Sequence, residues 1–367
     1  MNQESKETTS LPEKNKGLSK FEKFLVLWIG LCIVLGLAIS QILPGIGAVI
    51  DSLKIGQVSI PIGICLFLMM YPAVMNLKAS ELRKLRKNPA PIIVTLMSNW
   101  ILAPLVGTFL AGALLSGITP AEDARELIVA VILLHASPCT AMVLVWGYLA
   151  GGNQEQNVVN TSINTVTIIF LYAPVVVLLT GLQNIVFPNV IVIDWVSLLV
   201  SAGVFIGLPI IVGYFSKKYI IERKGETWFN DVYKEKVGKI AMLALLGTLV
   251  VLFAMNGDML LNNPVYLLYV SGPLLLSFVI VVGLNMLVTR LLKFKYREAI
   301  ITVIIGSSSH FEIAIASAVT LYGVGSVAAL GTTMGLFWEV PVMLSLVYLG
   351  KWLGKKQFWL PSDDTPR

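Results

Sequence analysis

The sequence predicts an all-α polytopic membrane protein: ten transmembrane helices, arranged as two inverted five-helix repeats with broken fourth and ninth helices. Three observations predict it. The 367 residues are 56% hydrophobic and only 13% charged, whereas a soluble domain is about 45–50% apolar and about 25% charged. Apolar runs of about 20 residues, the length that crosses a bilayer, recur along the whole chain. The basic residues gather in alternate connections between those runs, as they do in membrane proteins with a fixed orientation. So apolar a chain is neither soluble nor disordered.

The runs fall at 24–43, 58–77, 89–114, 127–150, 158–182, 194–216, 237–256, 264–289, 298–321 and 327–350. Pro104, Pro138, Pro174, Pro209, Pro273 and Pro341 lie inside them, which membrane helices tolerate when neighbours satisfy the freed carbonyls. A β-barrel would instead show alternating segments of about 10 residues; runs such as LLLSFVIVVGLNMLV do not alternate. The first run is not a signal peptide, because its flank is long and charged and no small-residue cleavage site follows it. With the N-terminus placed in the cytoplasm, 25 of the 27 Lys and Arg residues fall on the cytoplasmic side, leaving only Lys54 and Arg125 outside. Both termini are thus expected in the cytoplasm of a cell-membrane protein. The net charge of +6 reads as this topology signal and as contact with anionic lipid heads, not as a nucleic-acid surface. Cys32, Cys65 and Cys139 all sit within runs and form neither a disulfide framework nor a metal motif.

The organisation that follows is a cytoplasmic segment 1–23, a first five-helix repeat 24–182, a connector 183–193, a second repeat 194–350 and a cytoplasmic tail 351–367. An odd number of spans per half inverts one half relative to the other, the plan of many secondary transporters, whose binding sites lie where matching helices are interrupted. The fourth run is interrupted by His135, Ser137, Pro138, Cys139 and Thr140. The ninth is interrupted by Gly306, Ser307, Ser308, Ser309, His310 and Glu312. Pro138 and Ser309 occupy nearly equivalent places in the two halves. Both histidines of the chain lie in these two breaks.

Glu312 stands near mid-membrane, where a charge is costly and usually marks an ion or proton path. Cys139 follows a proline that frees helix carbonyls. It either lines the gap, where a soft thiolate meets a soft ligand, or packs as a small hydrophobe. Glu339, just before Pro341, is a second buried acid that either serves function or caps a disrupted turn. His135 and His310 read equally as polar cavity residues and as packing. Asn99 and Asn285 are expected to hydrogen-bond between helices. Asn160-Thr161-Ser162 matches a glycosylation sequon but falls on the cytoplasmic edge of a span, and is discounted. With no GxxxxGK[ST], HExxH or GxSxG motif, neither an ATP-driven pump nor an enzyme is indicated, and no cofactor or metal is implied.

Four stretches carry a resemblance: MMYP (69–72), SPCTAMVLVW (137–146), SHFEIAIASAV (309–319) and EVPV (339–342). In them the chain resembles the arsenical-resistance-3 family of arsenite efflux permeases, within the bile acid:sodium symporter superfamily. The resemblance implies a metalloid exporter working as a proton antiporter, with arsenite or antimonite as substrate. It maps the family's functional cysteine onto Cys139 and its functional glutamate, for proton coupling, onto Glu312. Ser137, Pro138, Thr140, Ser308, Ser309 and His310 are the expected surrounding substrate contacts, with Glu339, Asn99 and His135 in support. The chain departs from the family at Pro138, where some members have an Arg, at His310-Phe311, where many have Asn–Asn or Asn–Phe, and in its FWEVP run, where an LVEVP-like run is commoner. The alternative is sodium-coupled symport of an organic anion. Those relatives carry a Gln one turn after the ninth-span Glu, where this chain has Ala316. The sequence carries no signal of oligomeric state.

Overall fold

The computed structural model describes residues 24–55, 58–75, 89–140, 142–187, 190–262, 264–323 and 325–361. The segment 1–23, the basic loop 78–87 and residues 362–367 lie outside the described residues, and so do the topology signals they carry.

The described chain is helical throughout, apart from a two-residue ladder in which Lys54–Ile55 pairs antiparallel with Val58–Ser59. In chain order the helices are α1 (Leu25–Ile42), α2 (Ile46–Ser52), α3 (Ile60–Met75), α4 (Ala90–Leu115), α5 (Ala121–His135), α6 (Met142–Leu149), α7 (Gln154–Val186), α8 (Trp195–Lys224), α9 (Lys234–Asn262), α10 (Val265–Leu291), α11 (Tyr296–Gly306), α12 (Phe311–Tyr322) and α13 (Val327–Lys355). Six stretches among them are long and apolar enough to cross a membrane: α4, α7, α8, Glu226–Met255, α10 and α13. The apolar helices Leu27–Ile42, Ile60–Pro72 and Phe311–Tyr322 are shorter.

Local chemistry sets the helix ends. Asn153, Asp194 and Ser326 cap α7, α8 and α13, their side chains accepting from the backbone N–H of Gln156, Val196 and Ala329, which satisfies donors that the first helical turn leaves open. Gly225 ends α8 and Gly323 ends α12 at φ of +84° and +89°, a conformation that costs glycine nothing. Within α4 and α8 the backbone widens into π turns at Ser98–Leu102 and Gly203–Gly207, each two residues before a proline, Pro104 or Pro209. A proline ring collides with the carbonyl four residues back. The wider turn removes that collision without ending the helix.

The expected fourth and ninth runs are each split in two. The fourth becomes α5, which ends at His135, and α6, which starts at Met142. The ninth becomes α11 and α12, separated at residues 307–310. Elsewhere the helices outrun the apolar runs: α7 starts at Gln154 rather than 158, and α8 continues to Lys224 rather than 216. The connector begins helical, since α7 continues to Val186. The tail folds back. Leu360 N–H donates to Phe294 O at 3.2 Å, Tyr296 N–H donates to Leu360 O at 2.9 Å, and Trp359 Nε1 donates to Thr289 Oγ1 at 3.0 Å.

The helices pack in two groups. α9 lies along α1 and α3, and α8 packs on α3. The other group is built from α4, α5, α7, α10, α11 and α13. α12 touches α13 and α5 on one side and α8 and α3 on the other, so the second broken helix lies where the groups meet. Residues 127–134 of α5 and 299–305 of α11 are buried all round. Such helices belong inside a bundle. The outer helices turn large apolar side chains outward, including Phe170, Leu178, Leu268 and Val279. That is the pattern of a protein whose solvent is lipid.

Candidate functional site

The two helix breaks meet. Pro138 and Ser309 form an antiparallel backbone bridge. The His310 N–H donates to Ser137 O at 2.7 Å. Ser137 Oγ lies 2.9 Å from Leu133 O, 3.0 Å from Leu134 O and 3.2 Å from His310 O. One hydroxyl thus closes the end of α5 and touches the opposite break. Non-helical backbone at the centre of an apolar bundle needs partners of this kind, because lipid supplies none.

Around the crossing, other side chains absorb the free helix ends. Ser98 Oγ donates to Gly306 O at 2.7 Å, at the end of α11. Asn285 Nδ2 donates to Ser98 Oγ at 2.8 Å and reaches Ser307 Oγ at 3.3 Å. Asn164 Nδ2 donates to Cys139 O at 3.3 Å, and Asn99 Nδ2 donates to Asn164 Oδ1 at 3.2 Å. The two asparagines read from the sequence as helix-joining groups, Asn99 and Asn285, both bond between helices.

Glu312 lies in the first turn of α12, where the helix dipole favours a negative charge. Its Oε2 is 2.8 Å from His310 Nδ1, and both residues are buried. Glu339 is 1% exposed, and its Oε2 accepts from Ser309 Oγ at 2.9 Å. The two acids of the ninth and tenth runs therefore approach the same break from different helices. We expect Ser309→Ala to leave Glu339 without this donor and to destabilise the protein by about 1–3 kcal/mol. Thermal unfolding in detergent measures it, with Ser309→Thr melting like wild type. An unchanged midpoint for Ser309→Ala would show that the bond contributes nothing.

A small cavity of about 20 Å³, room for about one water, adjoins the crossing. Its polar lining is Asn99, His135, Ser277, Ser307, Ser308 and Ser309, with Pro138 beside them. His135 Nδ1 is 2.8 Å from Val131 O, and its Nε2 meets Ser277 Oγ. A carbonyl only accepts, so the proton sits on Nδ1. Neither Cys139 nor Glu312 lines this cavity. Cys139 is 3% exposed and packs in the apolar core. Thr140 is fully buried, and Ser308 Oγ donates to Ile305 O at 3.3 Å. The expected site residues therefore divide. Pro138, Ser308, Ser309, His135 and Asn99 share the cavity, while Cys139, Thr140, His310 and Glu312 lie at the crossing outside it. Among the described residues no cluster of His, Cys, Asp and Glu could hold a metal ion.

Sequence reasoning missed Ser277, Ser98 and the asparagines of α7. Asn157, Asn160 and Asn164 recur at helical spacing within an apolar span, and that recurrence was the available signal. Asn160, read from the sequence only as part of a discounted sequon, is fully buried.

Two broken helices that cross inside a shell of apolar ones are an arrangement that membrane transporters use. The chain belongs to the Sodium Bile acid symporter family, which it matches over residues 63–263. It is 39% identical over 359 residues to an uncharacterised transporter of Synechocystis sp., covering 94% of this chain and 91% of that one. It is 32% identical over 352 residues to the arsenical-resistance protein Acr3 of Alkaliphilus metalliredigens, covering 95% and 96%. It is 28% identical over 365 residues to the Acr3 of Corynebacterium glutamicum, covering 98% and 95%. The chain is thus a multi-pass membrane transporter by family.

Proposed function

We propose that this transporter extrudes a trivalent metalloid, arsenite or antimonite, from the cytoplasm across the cell membrane in exchange for protons. The observation that carries the reading is the position of Cys139 and Glu312 on the two broken segments that cross, in a chain with two arsenical-resistance relatives. Arsenite at neutral pH is an uncharged trihydroxide. It enters a polar, water-excluding site without a counter-charge, and its soft centre suits the Cys139 thiol. In this reading the substrate contacts are Ser137, Thr140 and His310 at the crossing and Pro138, Ser308 and Ser309 on the adjoining cavity wall. Glu312 takes and releases the coupling proton.

In this reading the chain is a ten-span bundle of two inverted repeats with both termini in the cytoplasm. The group containing α1, α3 and α9 moves against the group containing the crossing, and Glu312 exchanges its proton as the site reopens. The test is arsenite uptake into everted membrane vesicles. Uptake is expected to follow an imposed proton gradient and to ignore a sodium gradient.

The family as a whole favours a second reading, sodium-coupled symport of an organic anion. A hard cation wants several oxygen ligands. One turn after Glu312 stands Ala316, whose side chain has none. Uptake of an organic anion that follows a sodium gradient, with no uptake of arsenite, would establish this second reading.

A further inference from the structure

Polar rungs four residues apart run along α7, the first to α11 and the next two to α4. In the first rung Gln156 Nε2 donates to Thr302 Oγ1 of α11 at 3.1 Å, and that hydroxyl lies 3.1 Å from Glu298 O and 3.3 Å from Pro91 O. In the second, Asn160 Nδ2 donates to Thr95 Oγ1 at 3.2 Å. In the third, Asn99 Nδ2 donates to Asn164 Oδ1. Each four-residue step rises about 6 Å, so the ladder is about 12 Å long. Asn157 flanks it, donating to Val143 O at 3.2 Å and to Leu144 O at 3.4 Å.

The partners fix which way every amide points. Gln156 also faces Glu298 O at 3.3 Å, Asn157 faces two carbonyls, and Asn164 faces Cys139 O. Carbonyls only accept, so the amide nitrogens must face them. Thr95 spends its hydroxyl hydrogen on Pro91 O at 2.7 Å, and therefore only accepts from Asn160. Asn164 presents its oxygen to Asn99, which must answer with its nitrogen. Four amide oxygens are left over: Gln156 Oε1, Asn157 Oδ1, Asn160 Oδ1 and Asn99 Oδ1 are buried and meet no hydrogen-bond donor among the described residues. Burying such acceptors is costly. The seam offers four open acceptors, beside the second amide hydrogens of Asn99, Asn160 and Asn164, so it suits water, which both donates and accepts.

Its ends are placed for passage. Gln156 follows the exposed Glu155, beside Arg297 and Glu298 at the start of α11. Asn99 lines the serine cavity against the crossing, near His135, and through Ser309 that cavity touches Glu339. Among the described residues the titratable groups named along it, Glu155 and Glu298, His135 and Glu339, lie at its two ends, with His310 and Glu312 beyond the crossing.

We propose that the seam of Gln156, Asn157, Asn160 and Asn99 is a water-bearing proton path from the exposed end of α7 to the helix crossing. This rests on the proton-exchange reading above. Each water gives one hydrogen to a leftover amide oxygen and another to the next water. An excess proton advances as O–H hydrogens are handed along, and the amides keep their own. Such a path needs no titratable side chain within it.

The test uses the full-length protein in everted vesicles and, purified, in equilibrium arsenite binding. Asn160→Leu fills the seam with carbon. It is expected to lower proton-driven arsenite uptake about tenfold or more while leaving arsenite binding unchanged. Asn160→Ser keeps an acceptor and leaves room for water, and is expected to retain most of the uptake. Wild-type proton coupling in Asn160→Leu overturns the seam alone. Equal loss of uptake and binding in both variants makes Asn160 structural and also overturns it. Wild-type uptake that ignores the proton gradient overturns the exchange reading, and the seam with it.

Discussion

Cys139→Ser and Glu312→Gln will each lower arsenite export about tenfold or more, with the folded protein retained. Serine keeps the size of Cys139 and replaces a soft thiol by a hard hydroxyl. Asn164 holds the residue through its backbone carbonyl, so the crossing survives the change and any loss reports on the sulfur. Glutamine keeps the shape of Glu312 and removes the only proton it can exchange. The two variants should fail differently. Cys139→Ser should lose arsenite binding, whereas Glu312→Gln should bind arsenite and lose the response to a proton gradient. Vesicle uptake and equilibrium binding measure the two effects separately. Wild-type transport by both variants would sink the site assignment.

Gly107→Val will strip the membrane of folded protein. A Cβ at position 107 would lie 2.3 Å from the His135 ring, far inside contact distance. The ring has nowhere to retreat, because it is held to Val131 O on one side and to Ser277 on the other. Overpacking of this kind costs about 1–3 kcal/mol or more, and displacing His135 leaves buried polar groups without partners. Detergent-extracted yield and melting temperature are the measurements. His135→Ala removes the obstacle, so the double variant Gly107→Ala/His135→Ala should recover most of what Gly107→Ala loses. No recovery would mean that the glycine is needed for another reason.

Much of the architecture was legible because lipid imposes simple rules. A span must be apolar and of fixed length, so the apolar runs marked the helices, with ends displaced by as much as eight residues. The sequence read the prolines only as tolerated, and did not say that Pro104 and Pro209 would be absorbed by π turns while Pro174, Pro273 and Pro341 sit in regular helix. Glu312 and the paired interruptions stood out because polar groups are rare in such a chain. The cavity was less legible. Ser277 reaches it from α10 and Asn99 from α4, and no local pattern in either helix says what it will face.

By itself the sequence determined the class of protein, the two break points and the residues that stand in them. Composition and hydrophobic length decide those, and both are properties of single segments. Tertiary structure alone decided that the breaks pair backbone to backbone through Pro138 and Ser309, and that Cys139 and the serines face different surroundings. It also decided that the amides of α7 are left with spare oxygens. These depend on which donor meets which acceptor across helices far apart in the chain, and that matching exists only once the helices have packed.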